Sequence, residues 1–381
     1  MSQPDYLQPF ADCLTQSSQW LSAQAEAGEK HIGYFCTYTP VELIHACGFV
    51  PIRVMGEPGV VEQAYSLVPD FICPFMKCAL EKALNGGFKY LKGVVQGYTC
   101  DVSCGMANIW KENIPGELYH TFPLPYTDAP ATRDYLHKEF QAFIHKAEQA
   151  GGEFRLERLQ SSLDMYAAIR RSLLSLYQFG EDGAPALNAR ERHIVVQAGY
   201  VAPPDLFLGM LEALASQKPF NSRESQAGIP VLISGSLVES VGVFDAMEKA
   251  GARIVADDLC SGYRNLLPVD GSGSGPMERL IDRYVNRFPC PSRCRAENRF
   301  PLLMDRIEQT GARGVIFLIQ KFCTPHLADI PELTRLLKAA GIPVLVVEMD
   351  ESWRMGGQLQ TRLEGFVEMI DGMYGTNHGK I

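Results

Sequence analysis

The hydrophobic and polar positions change period several times along this chain. Residues 5–28 are polar and rich in Ala and Gln, with scattered Leu and Trp, and predict an N-terminal helical segment. The next stretch, HIGYFCTYTPVELIHACGFVPIRVMG, reads as strand, turn, helix and strand. Pro40 suits the first turn of that helix, with Thr39 as its cap and Gly48 as its stop. FKYLKGVVQGYTCD predicts a helix running into a short buried strand, Val94–Gln96, with Cys100 in the loop that follows. GELYHTFPLPY predicts another strand. Alternation of strand and helix implies a parallel sheet as the first core.

Residues 132–217 read as mostly helical, with Leu156, Leu159, Leu163 and Tyr166 recurring at helical spacing. The polar stretch NSRESQAGIP (221–230) marks the main boundary. Beyond it the strands are continuous Val/Ile/Leu runs: IPVLISGS, ending at Gly235, then ARIVADDLC, GVIFLIQKFC and IPVLVVEMD. Phe244–Lys249 continues the helix after the first of these, and ERLIDRYVN and PELTRLLKAAG are amphipathic helices between the later ones. Runs of this kind fit strands buried on both faces of a doubly wound parallel sheet. The expected organisation is an N-terminal helical segment (1–30), a first α/β domain (31–155), a helical connecting region (156–226) and a second α/β domain (227–381). The two halves read as two versions of one α/β plan. DGSGSGP (270–276) reads as a flexible loop.

Composition narrows the function. The chain has 381 residues, 46% hydrophobic and 21% charged, and a net charge of −9. That length supports two cores. A nucleic-acid footprint would be basic, so nucleic acid is not the expected partner. No apolar run reaches the length of a spanning helix, and the N-terminus lacks the charge-then-apolar pattern of a secretory signal. The expectation is a cytoplasmic protein without membrane contact, in a compartment where thiols stay reduced.

The 11 cysteines then become the main chemical signal. Eight fall in five turn-flanked places: FICPFMKC, GYTCDVSC, DDLCSGY, FPCPSRC and QKFC. Cys100 and Cys323 each follow a strand at its carboxyl end, where open α/β sheets bind ligands. Pro74 places Cys73 at a turn or helix start, near free N–H groups. Three thiolates from three loops are able to hold an iron–sulfur cluster with one iron left open. The close pairs Cys73/Cys78, Cys100/Cys104 and Cys290/Cys294 are spaced more widely than the tight pairs of structural zinc sites, so zinc is the lesser alternative. Cys13, Cys36 and Cys47, in apolar or helical contexts, read as buried small hydrophobes.

FCTYTPVELIHACGFVP, ICPFMK, TCDVS, DDLCSGYR, QKFCTPH and GQLQTRLEGFVEMI together resemble the 2-hydroxyacyl-CoA dehydratase / benzoyl-CoA reductase superfamily, from about residue 30 to 372. The resemblance implies two flavodoxin- or Rossmann-like parallel-sheet domains with an N-terminal helix and a helical insert. It implies a 4Fe–4S cluster on Cys73, Cys100 and Cys323, and Glu42 as a candidate acid/base group. The implied activity is radical, ketyl-type elimination of water from a 2-hydroxyacyl-CoA thioester. The electron would come from a separate ATP-hydrolysing iron–sulfur activator, and a homologous second subunit or a homodimer would complete the enzyme. This chain has no phosphate-binding P-loop pattern of its own.

Cys260 and Cys290 lie at positions that resemble those of a sister branch, the double-cubane-cluster reductases, and the resemblance implies additional ligands to an 8Fe cluster. An activator-dependent reductase, of that type or benzoyl-CoA reductase-like, is therefore the alternative activity. A non-catalytic electron-transfer subunit is the other. His45 lies three residues from Glu42 and shares its helix face. Ser234, Gly235 and Ser236, at a strand-to-helix opening, form the candidate anion- or cofactor-binding loop. Arg264 and Arg362 are candidates for phosphate or carboxylate pairing.

Overall fold

The computed structural model describes residues 4–125, 127–178, 187–217, 227–352 and 357–375. In chain order the elements are α1 (Gln8–Glu26), β1 (His31–Tyr34), α2 (Val41–Ala46), β2 (Val50–Arg53), α3 (Pro74–Leu84), β3 (Leu91–Tyr98), α4 (Asp101–Asn113) and β4 (Leu118–Pro123). The helices α5 (Pro130–Gln149), α6 (Leu156–Ser175), α7 (Ala189–Ala198) and α8 (Pro204–Gln217) follow. Then come β5 (Ile229–Gly235), α9 (Gly242–Lys249), β6 (Ala252–Leu259), α10 (Tyr263–Leu266), α11 (Pro276–Val285), α12 (Ala296–Thr310), β7 (Gly314–Gln320), α13 (Thr324–Ala339), β8 (Val344–Met349) and α14 (Gly357–Gly375).

These elements form two compact units. The first comprises residues 1–175, 194–219 and 265–288, and the second 176–193, 220–264 and 289–381. Each holds a four-stranded sheet, ordered β2-β1-β3-β4 in the first and β6-β5-β7-β8 in the second. Every pairing is parallel. The two orders are the same when counted within each unit, so the fold is α/β with one plan used twice. In that plan the direction of winding reverses between the first and third strands, and such switch points are where open α/β sheets take ligands.

The continuous apolar runs have the cause expected of them. Val231, Ile233, Ile316 and Leu318 point into one core with Phe244, Met247, Phe366 and Ile370. Their neighbours Leu232, Val315, Phe317 and Ile319 point into another with Leu303, Ile307, Leu333 and Leu337. Helices thus cover both faces, and each such side chain contributes roughly 1.5–3 kcal/mol of burial. At Gly93 and Gly235 the backbone runs at φ +152° and +145°, and an added Cβ would lie 1.9 Å from the carbonyl oxygen of Leu118 or Leu318. Only glycine fits either place.

Three local expectations need correction. Thr39 is not the cap of α2: Pro40 takes that position without a side-chain bond, and the Thr39 hydroxyl accepts from Gly97 N–H at 3.0 Å. The segment FKYL is no helix, because the preceding helix α3 ends at Leu84 and Gly86, at φ +80°, turns the chain toward β3. The strand read as Val94–Gln96 extends over Leu91–Tyr98. Of the boundary expected at 221–230, residues 221–226 lie outside the described residues.

Candidate functional site

The three expected cluster ligands share one local construction. Cys73 is the N-cap residue of α3, Cys100 of α4 and Cys323 of α13. A helix start exposes unpaired N–H groups and the positive end of the helix dipole, and both favour an anionic sulfur. At Cys100 the sulfur accepts from Ser103 N–H at 3.4 Å, and the Ser103 hydroxyl returns to Cys100. Cys100 follows β3 and Cys323 follows β7, the third strands of their sheets, so both stand beside a switch point.

In the first unit, Cys100 lies near enough to Cys73 to bear on its thiol. Burial pushes the Cys73 thiol up to about 12, and Cys100 adds to the rise. In the second unit, Phe322 precedes Cys323 at φ +64°, the one non-glycine residue with positive φ among the described residues. That conformation costs of order 1–3 kcal/mol and clusters at functional places. The Cys323 sulfur lies 3.3 Å from His326 Nδ1.

His326 belongs to a buried charge network. Its Nε2 lies 3.4 Å from Arg264 Nη1. Burial, then Arg264 and Arg299, hold its pKa well below the ordinary imidazole value. The ring also hydrogen-bonds the Gly235 backbone, and its Nδ1 faces the Cys323 sulfur. Arg264 also donates to Cys260 Sγ at 3.2 Å, to the Gly235 carbonyl at 3.1 Å and to both Asp258 oxygens at 3.0 Å. Asp258 accepts in addition from Ser234 Oγ at 2.7 Å and Arg299 Nη2 at 2.5 Å. Burial alone would raise Asp258, yet Arg264 and Arg299 outweigh it and bring the carboxyl to about 2. Cys290 is drawn below the usual thiol range, first by its hydrogen bond with Cys260 and then by Arg264. Cys260, Cys290 and Cys323 are thereby tied through Arg264 and His326 at the carboxyl end of the second sheet.

Ser234, Gly235 and Ser236 spend their polar groups inside the protein. Ser234 bonds Asp258, Gly235 accepts from Arg264, and Ser236 N–H goes to the Leu318 carbonyl at 3.0 Å while its hydroxyl accepts from Gln320 N–H at 2.8 Å. The following helix begins only at Gly242. Arg362, by contrast, is exposed and donates to the Val346 carbonyl at 2.9 Å.

Glu42 sits at the centre of a second network, in the first unit. It is fully buried and accepts from Arg170 at 2.6 Å, Arg283 at 3.1 Å and Tyr284 OH at 2.8 Å. Burial would raise its pKa, but Arg170 and Arg283 bring it down to about 2. A carboxylate held so is a poor proton acceptor at neutral pH. His45 is turned to Ser162 Oγ at 3.0 Å, and that hydroxyl donates to the Glu42 carbonyl at 2.8 Å.

Among the described residues no three His, Cys, Asp or Glu side chains are gathered into a single group able to hold a metal ion. The donor chemistry nevertheless suits an iron–sulfur group: soft sulfur donors at three helix starts, two of them beside switch points. Comparison with known proteins then decides the family. Residues 36–370 match the family described as 2-hydroxyglutaryl-CoA dehydratase, D-component. The chain belongs to that family. It is 24% identical over 380 residues to the (R)-phenyllactyl-CoA dehydratase beta subunit of Clostridium sporogenes, covering 97% of this chain and all of that one. It is 25% identical to the lactoyl-CoA dehydratase subunit beta of Anaerotignum propionicum, with 91% and 93% covered. It is 23% identical to one of the benzoyl-CoA reductase subunits of Thauera aromatica, with 91% of each covered. An enzyme of the 2-hydroxyacyl-CoA dehydratase family is the reading these relatives support. No helix among the described residues is long and apolar enough to cross a membrane.

Sequence reasoning missed the partners of Glu42 and Cys323. Arg170, Arg283, Tyr284, Asp258, Arg299 and His326 are all buried. The one signal for them was an arginine on the apolar face of a predicted helix, as in ERLIDRYVNR.

Proposed function

We propose that the chain is the iron–sulfur-bearing subunit of a 2-hydroxyacyl-CoA dehydratase-type enzyme, with Cys73, Cys100 and Cys323 as the ligands of a 4Fe–4S cluster. The observation that carries this reading is the common placement of the three thiols as N-caps of α3, α4 and α13. A cluster bound there would supply a low-potential electron and an open iron acting as Lewis acid.

The protein's own part is to hold and charge the sulfurs. The helix starts offer N–H groups and positive dipole ends to thiolates. His326, kept neutral beside Arg264, orients one sulfur through its Nδ1. Cys73 gives up its proton against the pull of burial, so ligation releases protons and is favoured by higher pH. Glu42 organises the β1–α2 corner through its two arginines.

The partners of this reading are a CoA thioester substrate, a homologous second subunit and a separate ATP-hydrolysing iron–sulfur activator. The test is an oxygen-free dehydration assay on 2-hydroxyacyl-CoA esters with the chain, its homologous subunit and the activator. Water elimination that needs ATP, and is lost in Cys100→Ala and Cys323→Ala, supports the reading. Activity unaffected by both substitutions refutes it.

One observation favours a second reading. Cys260 and Cys290 are hydrogen-bonded beside Arg264, with Cys290 drawn toward its thiolate. If both ligate iron, the group is larger than one cubane and the activity is that of a low-potential reductase. Iron content of Cys260→Ala separates the two.

A further inference from the structure

The first unit contains a cavity of about 60 Å³. Tyr34 and Thr37, at and just after the carboxyl end of β1, line it, with Arg170 from α6 and Arg283 and Tyr284 from α11, followed by Arg287. Three guanidinium groups thus share one wall. Among the described residues Glu42 is the one carboxylate hydrogen-bonded to any of them, and it takes Arg170 and Arg283. Arg287 donates to neutral acceptors, the Thr37 carbonyl and Asn265 Oδ1 at 2.5 Å.

Two donors on that wall are left over. Among the described residues, Arg170 Nη2 and Arg287 Nε are buried without a hydrogen-bond partner, on side chains only 5% and 7% exposed. The cations also repel one another. Burial first, and then Arg170 and Arg287, lower Arg283 to about 9 despite Glu42. Beside them Arg53, 1% exposed, stacks over the cavity-lining ring of Tyr200 at 4.6 Å. None of its three guanidinium nitrogens has a hydrogen-bond partner among the described residues. Burial holds the phenols of Tyr34 and Tyr166 well above their ordinary range, so both stay protonated donors. A buried cation excess with unmet donors is unfavourable unless a counter-ion enters.

We infer that this cavity binds a small carboxylate, which meets the unpartnered donors Arg170 Nη2 and Arg287 Nε and supplies the negative charge that Glu42 alone does not. One unpartnered donor on each of two guanidinium groups suits the two oxygens of a carboxylate, bound by charge-assisted hydrogen bonds, which favours this class of anion. A cavity of this size has room for roughly four water-sized centres, the number of heavy atoms in acetate. The inference does not rest on the iron–sulfur reading.

The experiment is calorimetric titration of the full chain with sodium acetate, at constant ionic strength held with sodium pivalate, whose branched acid is too large for the space. Saturable binding of one acetate per chain is expected. Arg287→Gln is expected to weaken it by roughly tenfold or more. Val196→Ile, which fills the cavity from its apolar wall without touching a charge, is expected to abolish it while the protein remains folded by circular dichroism. Absence of saturable binding to the wild-type chain overturns the inference, as does acetate binding that survives Val196→Ile unchanged.

Discussion

Arg170 donates to Glu42 at 2.6 Å, and the two side chains are 5% and 0% exposed. The contact joins α2 to α6 across 128 positions of sequence. Removing the carboxylate charge leaves Arg170 and Arg283 buried without a counter-charge, a loss of about 3–5 kcal/mol. Glu42→Gln is therefore expected to lower the urea midpoint of unfolding as well as any activity. Full stability with lost activity would instead mark Glu42 as a purely chemical group.

Acid should loosen the protein through the same residue and through Asp258. Glu42 falls from 4.5 to about 2, and Asp258 from 3.8 to about 2. A carboxyl depressed on folding contributes stability that is complete above its unfolded pKa and is lost as pH falls through its folded pKa. The loss is expected between about pH 4.5 and 2, and for Glu42 it amounts to about 3 kcal/mol. Urea unfolding midpoints measured across that window should fall steeply in the wild type and less in Glu42→Gln. Equal slopes would contradict the assignment.

Gly235 is fixed by geometry rather than by chemistry. An added Cβ would lie 1.9 Å from the Leu318 carbonyl oxygen, at a φ of +145°. Gly235→Ala should destabilise the second unit by roughly 3 kcal/mol. Its carbonyl accepts from Arg264, so a shift there also disturbs Cys260. Thermal unfolding of this variant beside Gly275→Ala, whose added Cβ meets nothing within 4 Å, checks the point.

Iron uptake should depend on pH. Cys73 is pushed up to about 12 by burial, so protons compete with metal for its sulfur. Anaerobic reconstitution is expected to load less iron as pH is lowered from about 8 toward about 6, with protons released on binding. Loading that is flat over this range would argue that Cys73 is not a ligand.

The sheets were legible because their strands are buried on both faces, which writes unbroken apolar runs such as GVIFLIQ into the chain. The placement of Cys100 and Cys323 after strands was legible for the same reason. The surroundings of these residues were not. Arg283 reaches Glu42 over 241 positions and His326 meets Arg264 over 62. Such pairings leave no local period to read. Thr39 has the residue type of a cap, whereas the fold directs its hydroxyl to Gly97 N–H in β3. FKYL has apolar spacing that suits a helix, and the turn at Gly86 overrides it.

The most direct test is the amount of iron and acid-labile sulfide per chain in protein purified without oxygen. About four of each, reduced in Cys73→Ala, Cys100→Ala and Cys323→Ala but retained in Cys13→Ala, is the result expected of a single cluster on the three helix-capping thiols. No iron after anaerobic reconstitution, or iron unaffected by all three substitutions, would contradict it.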